Sequence, residues 1–82
     1  MDKKISIREL SVGTAVVIVA YNRVYGGYVG TLLTKGLSRG KSLILLDKTL
    51  PKGCIKIMFE EKIMQLSKPE ADALYVQPID DQ

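Results

Sequence analysis

Three groups of residues have the types from which reactive sites are made. They are the lone thiol Cys54, the adjacent carboxylates Glu60 and Glu61, and the glycine-flanked cations of Gly36-Leu37-Ser38-Arg39-Gly40-Lys41-Ser42. The chain has no histidine and one cysteine. A serine or cysteine nucleophile therefore lacks its usual imidazole base, and an ordinary zinc site cannot be assembled. Neighbouring residues on a strand point to opposite faces, so Glu60-Glu61 reads as a solvated corner, not an acid/base pair. Cys54 follows a glycine and precedes an apolar strand, which suits a small buried hydrophobe. A nucleotide phosphate loop needs four residues between its first glycine and Gly-Lys-Ser. Here three stand between Gly36 and Gly40, and a strand-like Leu-Ile-Leu-Leu run follows Ser42. No catalytic residue, metal ligand, cofactor or small-molecule substrate is expected, and the chain is not expected to be an enzyme.

What remains is charge. The 82 residues carry 12 Lys and Arg against 9 Asp and Glu, a formal +3. All the cations lie in residues 1–68, with five of the acids, giving that part +7. Residues 69–82 hold Glu70, Asp72, Asp80 and Asp81 and no cation, giving −4. A cationic surface attracts polyanions and speeds their association. Tyr21, Asn22 and Arg23 place an aromatic ring beside a cation at one turn. Lys35, Arg39 and Lys41 crowd a loop. Bases stack on exposed tyrosines and phosphates pair with such cations, so these six residues are the expected nucleic-acid contacts. Tyr25 and Tyr28 are assigned to the interior or to a subunit interface.

These residues need elements to hold them. Ser6-Ile7-Arg8-Glu9 is a capping box, Ser with Glu three positions on, and predicts a short helix from 7 to about 12. Residues 14–21 are dense in β-branched residues and read as a strand. They do not alternate apolar and polar, so both faces are expected to be covered. Residues 24–34 read as a second strand bent at its glycines. Residues 42–47, 54–59 and 61–66 read as three more. Ser67-Lys68-Pro69-Glu70 is a second capping box, opening a helix to about 74 with Pro in its first turn. The expected fold is all-β in the main: a small five-stranded SH3-like or Sm-like barrel with a short N-terminal helix and a short C-terminal helix or tail. The expected division is a barrel domain, 1–68, and an acidic C-terminal tail, 69–82.

The stretch from Leu10 to Val29, Leu-Ser-Val-Gly-Thr-Ala-Val-Val-Ile-Val-Ala-Tyr-Asn-Arg-Val-Tyr-Gly-Gly-Tyr-Val, resembles the first half of the first motif of the Sm-like family, with Gly27 as the glycine that bends the second strand. The family's base-pocket Asp, Asn and Arg-Gly have no counterparts here, so no pocket residue is carried over. The resemblance implies a homo-oligomeric ring of five to seven copies, joined through the fourth and fifth strands. Ile55, Ile57, Phe59, Ile63 and Leu66 are the candidate interface residues. Assembly would supply the staple that a chain of this size otherwise needs. The longest apolar run, 15–21, is too short to span a bilayer, and the basic start is not followed by a signal-peptide core. The expectation is a cytoplasmic, ring-forming protein that binds single-stranded RNA. The alternative is an SH3-like protein-interaction or scaffolding module without nucleic acid.

Overall fold

The β-branched and aliphatic runs do form the sheet. The computed structural model describes residues 4–79, so Asp80 and Asp81 of the acidic C-terminus lie outside the described residues. Among the described residues there are six strands: β1 Ile5–Ser6, β2 Ala15–Tyr21, β3 Ser42–Asp47, β4 Ile55–Phe59, β5 Lys62–Leu66 and β6 Leu74–Pro78. They form one sheet in the order β1-β6-β2-β3-β4-β5, every neighbouring pair antiparallel. Register shifts between Ile18 and Ala20 and between Leu45 and Asp47 mark bulges, which bend strands and add twist. The mainly β fold with short helices is as expected. The strand inventory is not.

Both capping boxes are made. Ser6 accepts from the Arg8 N–H, and its own N–H donates to Glu9 Oε2 at 3.2 Å, opening a 3₁₀ turn at Ile7–Glu9. That turn stops at Leu10, which is extended, so the first helix is shorter than predicted. Ser67 and Glu70 cap α2, Lys68–Asp72, in the same reciprocal way, with Ser67 N–H donating to Glu70 Oε1 at 2.9 Å.

The expected second strand is the main correction. Residues 23–34 are helical: a kinked 3₁₀ segment, Arg23–Tyr28, runs into α1, Val29–Thr34. Asn22 Oδ1 caps the start by accepting from Val24 N–H at 3.0 Å. The end is a Schellman motif. Leu37 N–H donates to the Leu32 carbonyl and Gly36 N–H to that of Leu33, both at 2.9 Å. Gly36 supplies the left-handed residue, at φ 89°. Leu32 and Leu37 are fully buried and provide the apolar contact that accompanies this ending. Gly27 therefore bends no strand.

The C-terminal part also differs. The expected boundary after residue 68 falls inside α2. The extended stretch after it is not peripheral: β6 pairs with β1 on one side and β2 on the other. Leu74 and Val76 are fully buried in the core. Alternation along β2 turns Val16 and Ile18 inward, and its other face is half-buried within the same chain.

Candidate protein-interaction surface

The six residues expected to contact nucleic acid do not form one exposed cationic face. Tyr21 is half-buried against the core, and its hydroxyl donates to the Leu37 carbonyl at 2.8 Å. Burial raises its pKa above the usual tyrosine value, outweighing the nearby Arg39, which acts to lower it. That hydrogen bond to Leu37 fastens the 35–41 loop to β2. Asn22 spends its side chain on the helix cap. Lys35 Nζ is 2.9 Å from Glu70 Oε2, and Lys41 Nζ is 3.6 Å from Glu60 Oε2. Arg23 and Arg39 are exposed, with no ion pair among the described residues.

Glu70 and Asp72, counted in the expected tail, thus pair with cations of the body. Glu70, buried on α2, also accepts from Ser67 N–H and Oγ. Burial acts to raise its pKa, but the bonds from Lys35 and Ser67 outweigh it and hold the carboxyl below its usual value. Asp72 behaves likewise. Burial acts upward, and Lys68 and Arg8, each at 2.9 Å, bring the net shift downward. Arg8 also donates to the Gly53 carbonyl. It thereby ties the 3₁₀ turn at Ile7–Glu9 to α2 and to the connection before β4.

The proposed oligomer contacts are corrected by burial. Ile55, Ile57 and Leu66 are fully buried, and Phe59 nearly so, within this chain's own core. Their side chains are absent from the surface that a second copy would meet. Ile63 is the exception, 65% exposed on β5. Cys54 is a half-buried free thiol. Among the described residues, no three His, Cys, Asp or Glu side chains gather as potential metal ligands. No described helix is long and apolar enough to cross a membrane.

The helical insertion carries what the sequence reading missed. Val24 is 82% exposed, and Tyr28 and Leu33 are each a little under half exposed. Three large apolar groups are thus exposed within one short helical stretch. Grouped exposed apolar residues mark interaction sites. The signal was present: Val29, Leu32 and Leu33 have i, i+3, i+4 spacing, and Gly36 stands where a helix ends.

The family model of the FeoA domain matches residues 5–78, from β1 to the end of β6. The chain belongs to the FeoA family. The Sm-like resemblance is thereby overturned, and with it the RNA-binding ring. The FeoA domain has the same small SH3-like barrel architecture, but here a helical insertion stands where the Sm-like reading needed a bent strand. An FeoA-like protein from Clostridium acetobutylicum superposes with a TM-score of 0.82 at 20% identity, covering 100% of this chain and 94% of that one. An iron uptake regulatory protein, FeoA, gives 0.75 at 19% identity, covering 95% and 100%. The manganese-activated repressor ScaR, in its apo form, gives 0.77 at 20% identity, covering 96% of this chain but 38% of its own. These likenesses establish the fold. No curated protein matches the chain.

Proposed function

We propose that this FeoA-family chain is a non-enzymatic, SH3-like protein-interaction module that acts in the cytoplasm in the regulation of iron uptake. The FeoA domain match over residues 5–78 carries this reading. The exposed Val24, Tyr28 and Leu33 support a protein partner in place of a polyanion, since Lys35 is engaged by the buried Glu70 of the same chain. The free Cys54 thiol suits a reducing compartment. The test is uptake of radioactive iron by cells of the source organism lacking the gene. Uptake should fall, be restored by the native chain, and be independent of any turnover. Unchanged iron uptake in the deletion strain would refute the proposal.

A further inference from the structure

A second apolar feature lies on the opposite kind of surface, the outward face of the sheet. Residues directly opposite one another in an antiparallel pair project from the same face. Ala15 is paired with Ile44, Ile44 with Met58, and Met58 with Ile63. Ile79 N–H donates to the Ala15 carbonyl at 2.9 Å, placing Ile79 beside the start of the row. Ile44, Ile63 and Ile79 are exposed and Met58 is half-buried. One apolar row therefore crosses the strands from the end of β6 to β5. A groove of about 260 Å³ opens along its β2–β4 part, lined by Ala15, Ile44, Met58 and Ile79 together with Glu60 and Glu61, and Ile63 continues the row beyond it on β5. That volume falls short of the roughly 300–1,000 Å³ of small-molecule sites, but it accepts protruding side chains.

The groove also constrains the form of its occupant. β2, β3 and β4 are interior strands, each paired on both sides. Their backbone groups are engaged in the ladder and are not offered to a peptide. An extended segment laid across this row would bury its own N–H and C=O groups without partners, which is costly. A helix satisfies those groups internally and can use a surface made of side chains alone. From β6 to β5 the row spans roughly 19 Å at the usual strand spacing, the length of about 13 helical residues.

Charge gives its polarity. Glu60 is held by Lys41 only loosely, at 3.6 Å with both side chains about half exposed, a kind of pair that contributes little. Glu61 has no ion-pair partner among the described residues. Two carboxylates beside an apolar floor, on a molecule of net +3, complement a cation at the edge of an apolar stripe.

We propose that the row Ala15–Ile44–Met58–Ile63, with the groove that opens along its first three residues, is the docking surface for an amphipathic helix of a partner protein, its apolar stripe on the row and a Lys or Arg against Glu60 and Glu61. This deepens the interaction-module reading and rests on it.

The test is a titration of the isotopically labelled full chain, followed by amide and methyl NMR, with a 14-residue Leu/Lys amphipathic helical peptide. A Leu/Glu version and a scrambled Leu/Lys peptide are controls. Shifts should concentrate at Ile44, Met58, Glu61 and Ile63. Glu60→Gln with Glu61→Gln should weaken binding roughly tenfold, as expected for the loss of about 1.4 kcal/mol of charge pairing. Ile63→Asp should weaken it as well, and because Ile63 is exposed the variant keeps the native spectrum. The proposal is overturned by equal binding of either control, by shifts centred on Val24 and Leu33, or by no shifts at millimolar peptide. Concentration-dependent shifts along the row without peptide would also overturn it, because a second copy would then be the occupant. In cells, Ile63→Asp with Glu61→Gln should reduce iron uptake. Full restoration of uptake by that variant would defeat the groove while leaving the interaction-module reading intact.

Discussion

Glu70 shows how one side chain couples local and distant structure. It caps α2 through Ser67, three residues away, and holds Lys35 across the fold. With its side chain 8% exposed, it is ionised inside the protein and fully hydrogen-bonded. Replacing it with glutamine keeps the shape but weakens charge-assisted bonds, and Glu70→Gln should lower stability by about 2 kcal/mol at neutral pH. The pH dependence follows from the sign of the shift. Its folded pKa lies below the ordinary 4.5, and that of Asp72 below 3.8. Their stabilisation is complete above those ordinary values and is lost as pH falls through the depressed ones. Thermal melts from pH 7 to pH 3 should therefore show the native chain falling toward Glu70→Gln. A constant gap between the two across that range would contradict the assignment.

At the scale of elements, the β4–β5 hairpin carries strain. Phe59 pairs with Lys62, so Glu60 and Glu61 are the whole loop, at φ 52° and 66°. Two-residue turns of this hand favour Asn-Gly because both central residues need positive φ. Glutamate in that region is disfavoured by roughly 1 kcal/mol or more each. Glu60→Asn with Glu61→Gly should raise the melting temperature by several degrees, since each kcal/mol moves a domain of this size by about 4–8 °C. The same change should weaken binding of a cationic helix roughly tenfold, as the paired glutamine substitutions do. A gain in stability accompanied by a loss of binding is the pattern of a turn kept for its carboxylates. A second element-level prediction concerns Arg8, which joins the first 3₁₀ turn to Asp72 and to the Gly53 carbonyl. Arg8→Ala should cost about 1–3 kcal/mol, measurable by urea denaturation.

For the molecule as a whole, the decisive fact is the place of β6. A strand 70 residues along the chain is inserted between β1 and β2, so the sheet closes only when the C-terminal part arrives. Truncation after Ala73 would remove Leu74 and Val76 from the core and leave the ladder edges of β1 and β2 unpaired. The shortened chain should lose cooperative thermal unfolding by circular dichroism. A cooperative transition like that of the full chain would show that 74–78 is dispensable after all. The surface is also organised at this scale. Glu70 and Asp72, two of the four acids of the acidic end, meet Lys35, Arg8 and Lys68 from the basic body, so folding pairs charges that are far apart in the sequence.

The sequence by itself determined what is local or compositional. Both capping boxes are read from residues three apart, and each opens a helical turn where expected. The runs at 15–21, 42–47, 55–59 and 62–66 are strands because β-branched and aliphatic side chains suit a pleated, half-buried surface. The 82 residues hold no histidine, so none of them offers an imidazole as a base or a metal ligand. Residues 23–34 read as a bent strand because Val, Tyr, Thr and Gly weigh toward one, while their helical state rests on the Asn22 cap and on burial of Leu32 and Leu37. Tertiary structure alone decided which cations remain free, which isoleucines fill the core, and that Ala15, Ile44, Met58 and Ile63 stand in one row. Those facts depend on strand register and on pairings across up to some 70 residues, and no local propensity encodes them.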